Sequence, residues 1–79
     1  MSNSLSRSAQ NRLSLLTPRE RQVLAWLVRG ATNRKIGASL KVSPRTIEKH
    51  VERILAKLSV NNRTCAAMLA AEVGRDTLD

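Results

Sequence analysis

The chain has 79 residues, with 14 Lys and Arg against 6 Asp and Glu, and a formal net charge of +8. A chain of this length forms one domain at most, around one small core. Its single cysteine excludes an internal disulfide and any zinc site built from several cysteines. The longest apolar run, from Cys65 to Ala71, is far too short for a bilayer span, and the N-terminus lacks an apolar signal region. We therefore expect a soluble, cytoplasmic protein without a membrane segment.

The basic charge is unevenly distributed along the chain. Residues 1 to 63 contain 13 basic and three acidic side chains, whereas residues 64 to 79 contain one basic and three acidic side chains. A clustered basic excess predicts a polyanionic partner such as nucleic acid. The alternative is that the basic charge only keeps the domain soluble. Charge alone does not distinguish this interpretation from binding to a polyanion.

The first 14 residues are rich in Ser, Asn and Arg and show no sustained periodicity, which predicts a flexible N-terminal arm or linker. Residues 15 to 75 are predicted to form the domain itself. Its first helix should begin after Thr17, because Pro18 suits the first helical position and Glu20 completes a capping box. Gly30 suits the left-handed residue that follows the end of a helix.

Two closely spaced helices follow. The second predicted helix is capped by Thr32, is about two turns long and stops near Lys41. The third is capped by Ser43, has Pro44 at its first position and ends near Ser59. The short connection between them predicts a helix-turn-helix.

The third predicted helix is strongly amphipathic. Its apolar residues recur at helical spacing and define a buried stripe, namely Ile47, Val51, Ile54, Leu55 and Leu58. The opposite side carries Arg45, Lys49 and Arg53. A helix that buries one side and offers basic side chains on the other fits the major groove of DNA.

A fourth helix is predicted after Asn61 or Asn62, closed by Gly74. No alternating strand pattern competes with the helices, so the predicted fold class is all-α. The fourth helix has two apolar sides, one more than a single core contact requires. We predict that the second side forms a dimer interface, made by Cys65, Met68, Leu69 and Glu72. The alternative is that the alanines of this helix reflect helix propensity alone.

Three segments carry a family resemblance. They are LTPRERQVL from Leu16, GxTNRKI from Gly30, and SPRTIEKHxxxILxKLxVxNRT from Ser43. Together they resemble the LuxR-type (GerE-type) helix-turn-helix domain of bacterial transcription regulators. The resemblance implies a four-helix domain that binds DNA as a dimer through the third helix and often dimerises through the fourth.

The resemblance and the helical pattern together predict the DNA contacts. We expect base-edge contacts from Arg45, Glu48, Lys49, Glu52 and Arg53. We expect phosphate contacts from Asn33, Arg34, Thr46 and Lys57. Glu48 stands where many members of the family have Lys, and Lys49 where an aliphatic residue is frequent, so this chain should read a different DNA sequence. Whether Glu48 and Glu52 accept from cytosine or belong to a solvated mixed-charge face stays open.

Catalysis is not expected. His50 is the only histidine, no nucleophile stands at a relay spacing from it, and there is no Gly-rich phosphate loop. No metal site and no cofactor are predicted, and His50 is expected to pack or to hydrogen-bond at the edge of the third helix.

The predicted function is that of a sequence-specific DNA-binding transcription regulator, or its output domain. It is expected to act as a dimer on two half-sites of double-stranded DNA, with helix 43–58 in the major groove. RNA polymerase or another regulator stays open as a further partner. Two rivals remain: the promoter-recognition region of a sigma factor, and a protein-interaction module that uses the same fold.

Overall fold

The computed structural model describes the backbone of residues 3–78 and the side chains of residues 7–74. Within these residues the fold consists of five helices and no strands: α1 (Asn3–Leu13), α2 (Pro18–Val28), α3 (Asn33–Leu40), α4 (Pro44–Leu58) and α5 (Arg63–Leu78). The predicted all-α class is therefore confirmed. Four of the helices correspond to the four predicted from the sequence, and α1 is additional.

Helix α1 lies within the segment that was expected to be an N-terminal arm or linker. Ala9 is buried and Leu13 packs against the core, and their spacing of four residues places both on one helical face. Arg12 Nη1 also donates to the carbonyl oxygen of Leu58 at the end of α4, at 3.3 Å. The sequence pattern did not predict this buried face of α1, because so few residues of the segment are apolar. The division of the chain into an arm and a domain of residues 15–75 remains a prediction.

The helix starts follow the predicted capping residues. Thr17 accepts from the backbone N–H of Glu20 at 3.1 Å, and the Glu20 carboxylate accepts from the N–H of Thr17 at 2.9 Å, which completes the capping box. Thr32 and Ser43 cap α3 and α4 by accepting from the backbone N–H groups of Lys35 and Thr46, without the reciprocal bond of a capping box. Each such cap contributes about 1 kcal/mol to stability.

Helix α5 does not end where the sequence analysis placed its end. It runs through Gly74 to Leu78, because a glycine weakens a helix without forcing it to stop. Asn62, and not Asn61, supplies the cap, since its side-chain oxygen accepts from Cys65 N at 2.9 Å. Gly30, by contrast, has a φ of +78° just after α2, as predicted.

The turn between α3 and α4 brings two backbones unusually close together. Gly37 is buried in α3, and a Cβ atom at this position would lie 2.6 Å from the carbonyl oxygen of Val42. Lys41 takes the left-handed conformation with a φ of 62°, and Val42 N donates to the Gly37 carbonyl at 2.9 Å. The turn therefore fixes the direction in which α4 leaves α3.

The core lies between α4 and the other helices. The predicted stripe of α4 is buried at Ile47, Val51, Ile54 and Leu58, whereas Leu55 is half-buried beside it. Leu16 and the inner faces of α2, α3 and α5 complete the core. Among the described residues, no helix has the length and apolar character needed to span a membrane.

Candidate nucleic-acid interface

The outer face of α4 carries all five residues predicted to reach base edges. Each of the five is exposed: Arg45, Glu48, Lys49, Glu52 and Arg53. They share this face because the apolar stripe from Ile47 to Leu58 is buried in the core, which leaves the side of α4 opposite the stripe exposed to solvent. The result is a single exposed surface with three positive and two negative side chains, which we call the α4 outer face.

The first turns of α3 and α4 bring two of the predicted phosphate contacts to the surface. Thr46 is exposed in the first turn of α4, and its hydroxyl lies 3.0 Å from that of Ser43. Arg34 is exposed in the first turn of α3. Backbone N–H groups at a helix start favour an anion, and a basic side chain beside them strengthens that preference.

Asn33 is held by an arginine from α5. Arg63 donates from Nη1 to the Asn33 side-chain oxygen at 2.7 Å and from Nη2 to the Ala31 carbonyl at 2.8 Å. This clamp ties the start of α5 to the start of α3. Because the side-chain oxygen of Asn33 is engaged, its amide nitrogen is the group that could donate to a phosphate.

Lys57 forms an internal ion pair. Its Nζ lies 2.7 Å from Glu20 Oε1, and the side chain of Glu20 is only 3% exposed, against 33% for Lys57. Burial by itself would raise the pKa of Glu20, but the hydrogen bonds from Lys57 and Thr17 and the charge of Lys57 hold that pKa below its ordinary value. The positive charge of Lys57 is thus paired with the Glu20 carboxylate, which counts against the predicted phosphate contact.

His50 lies at the edge of α4 and is half-buried. Its Nδ1 atom is buried without a hydrogen-bond partner among the described residues. This placement agrees with a packing role for the ring.

The predicted dimer surface on α5 is largely exposed. Cys65 and Glu72 are exposed, and Met68 is 66% exposed. Leu69 is half-buried and packs against the core, and its predicted part in a dimer interface stays a prediction. Ala66 and Ala70 occupy the inner side of the helix. We call Cys65, Met68 and Glu72 the α5 patch.

A short helix held by a tight turn against a second, strongly amphipathic helix with a basic outer face defines a helix-turn-helix domain. Residues 14–70 match the family described as bacterial regulatory proteins, luxR family. The chain belongs to this family, which confirms the predicted resemblance. It is a family of regulatory domains and not of enzymes.

Curated relatives align with most of the chain. It is 44% identical over 57 residues to the uncharacterized transcriptional regulatory protein YhcZ of Bacillus subtilis, covering 72% of this chain and 27% of that protein. It is 42% identical over 59 residues to the transcriptional activator protein SolR of Ralstonia nicotianae, covering 75% and 25%. It is 41% identical over 66 residues to the DNA-binding transcriptional activator DevR/DosR of Mycobacterium tuberculosis, covering 84% and 30%. The chain thus spans between a quarter and a third of these relatives.

Proposed function

We propose that this chain is the sequence-specific DNA-binding part of a cytoplasmic bacterial transcription regulator, and that it acts as a dimer on two half-sites with α4 in the major groove. The observation that carries the proposal is the α4 outer face, which is exposed along its length and backed by a buried stripe. The similarity to SolR and DevR/DosR, both named as transcriptional activators, supports the regulatory role. RNA polymerase or another regulator is a further partner consistent with that role.

Affinity and specificity come from different groups in this proposal. Thr46, Arg34 and the amide of Asn33 contact phosphates and fix the position of the domain on the duplex. The side chains of the α4 outer face then read base edges in the groove. Lys57 is better assigned to the ion pair with Glu20 than to a phosphate, because the pair is short and half-buried.

Binding to any duplex should weaken steeply as salt rises, because contact with phosphates releases condensed counterions. With roughly 5 to 8 phosphate contacts per bound dimer, the logarithm of the binding constant should fall with a slope of about −4 to −7 against the logarithm of salt concentration. Fluorescence anisotropy of a labelled duplex across a salt series measures this slope. A slope near zero contradicts the proposed mode of binding.

The α5 patch is proposed as the surface where two copies meet. It presents an apolar side chain, Met68, on a helix whose inner face is already occupied by the core. A patch of this size buries less area than stable dimers need, so pairing should be completed on DNA. The two-fold symmetry of the pair predicts an inverted repeat with half-sites about one helical turn apart.

Met68→Glu should abolish cooperative occupancy of the paired site and leave half-site binding unchanged, because it places a charge in the contact between copies and leaves α4 untouched. Since Met68 is 66% exposed, the thermal stability of the free protein should not change. Gel shifts on one half-site and on the inverted repeat make the comparison.

Met68→Leu is the matched control, because it keeps the surface apolar and should keep cooperativity. Leu69→Glu should lose stability as well as pairing, since Leu69 packs against the core. Wild-type cooperativity in Met68→Glu means that the copies meet elsewhere.

A further inference from the structure

Two of the five side chains on the α4 outer face are carboxylates, which is an unusual choice for a surface that meets a polyanion. Glu48 and Glu52 are both exposed and stand four residues apart, so they lie on the same side of α4. Among the described side chains, neither glutamate forms an ion pair or a hydrogen bond with a neighbouring basic residue such as Lys49 or Arg53. The one ion pair among these side chains joins Lys57 and Glu20. Their acceptor oxygens are therefore available to a ligand.

An ionised carboxylate accepts hydrogen bonds and donates none. In the major groove it is repelled by the phosphates, and a hydrogen bond from a base donor offsets that repulsion. Only cytosine N4 and adenine N6 offer donors there, and adenine places its N7 acceptor beside the donor, where it repels a carboxylate. Cytosine presents its amino donor without an acceptor on the groove edge of its own ring. The base that a glutamate tolerates best in the groove is therefore cytosine.

We infer that Glu48 and Glu52 each select a cytosine in the half-site, an inference that rests on the proposed placement of α4 in the groove. Four residues of helix rise about 6 Å, close to the roughly 7 Å of two base-pair steps, so the two cytosines stand about two steps apart. Lys49 directly follows Glu48, and Arg53 directly follows Glu52. Both basic side chains suit the O6 and N7 acceptors of guanine. The half-site is thus rich in G·C pairs.

The same carboxylates act against wrong sequences. On a duplex without cytosine at these positions, each glutamate keeps its repulsion from the phosphates and gains no hydrogen bond. Glutamine has nearly the same shape, lacks the charge and forms paired hydrogen bonds with adenine N6 and N7. Replacing either glutamate by glutamine should therefore change the preferred base from cytosine to adenine and raise affinity for random DNA.

Selection of bound duplexes from a random library tests the inference. Wild-type protein should enrich two cytosines two steps apart in each half-site, and Glu48→Gln and Glu52→Gln should each convert one of them to adenine. On the wild-type site each variant should bind about tenfold more weakly than on its own adenine site. Gln22→Glu, an isosteric change of charge on the exposed side of α2, is the matched control and should enrich the wild-type sequence.

The outcomes separate this inference from the proposed function. If the wild type enriches no sequence at all, the proposed function fails and the inference falls with it. If the wild type enriches a defined sequence that both glutamine variants share, the function stands and the inference is overturned, because the glutamates are then only solvated. Both positions are exposed, so thermal melting of the variants should match that of the wild type and exclude misfolding as a cause.

Discussion

Gly37→Ala should destabilise the domain by about 2 to 3 kcal/mol, a large part of the stability of so small a protein. The added Cβ would lie 2.6 Å from the Val42 carbonyl oxygen and 3.3 Å from the backbone nitrogen of Pro44. Both neighbours are backbone atoms, so no side-chain rotation relieves the clash. The turn must open instead, and α4 then shifts away from α3. Urea unfolding, followed by circular dichroism at 222 nm, measures the change in the free energy of unfolding.

The other two glycines provide matched controls for this substitution. Gly74→Ala meets no atom within 4 Å and lies inside α5, so it should stabilise the protein by about 0.5 to 1 kcal/mol. Gly30→Ala also meets open space, but its φ of +78° makes it destabilising by about 1 kcal/mol through backbone strain. If Gly37→Ala unfolds at the same urea concentration as the wild type, the close approach of α3 and α4 is not rigid.

Lys57→Met should destabilise the protein by about 2 to 3 kcal/mol at neutral pH, because it leaves the buried Glu20 carboxylate without its counter-charge. The loss is smaller than the 3 to 5 kcal/mol typical of a fully buried pair, since Lys57 is one-third exposed. Glu20→Gln is the companion variant, as its side-chain oxygen can still accept from Thr17 N. The double variant should lose less than the two single losses combined. Fully additive losses would mean that the pair contributes no coupling.

The pH dependence follows from the direction of the Glu20 pKa shift. The folded-state pKa lies below its ordinary value, so the stability that it contributes is fully present above the unfolded-state pKa, about 4.3. It is lost as the pH falls through the lowered folded-state pKa. The difference between wild type and Lys57→Met should therefore shrink on acidification, because protonation removes the unpaired charge in the variant. A difference that stays constant from pH 7 to pH 3 contradicts the role of the charge.

Local signals account for most of what the sequence predicted correctly. Thr17, Thr32 and Ser43 cap helices through contacts three residues away, and the stripe of α4 depends only on helical spacing. The contacts that escaped prediction join distant segments. Lys57 and Glu20 are 37 residues apart, and Arg63 and Asn33 are 30 residues apart. Such pairs depend on how the helices pack, which no local pattern specifies.

In the candidate site, too, local patterns predicted some features, and contacts between distant segments were missed. The five residues of the α4 outer face were predictable, because a buried stripe dictates which residues lie opposite. The ion pair of Lys57 was not predictable, because its partner Glu20 lies 37 residues away in the chain; the phosphate contact of Lys57 stays a prediction. The packing of Leu69 against the core was not predictable, because Leu69 sits at the border between the two sides of α5, where helical spacing alone assigns a residue to either. Its part in a dimer interface stays a prediction.

Helix α1 lies outside the residues that match the family, yet it packs against the core of the domain. The family match begins at residue 14, after Ala9, Leu13 and the bond from Arg12 to the Leu58 carbonyl. A fragment trimmed to the matched residues would leave the last turn of α4 without that donor and open the core to water beside Leu58. Fragment boundaries for binding studies should therefore be set by packing, with α1 retained at the N-terminal side and α5 continued past residue 70.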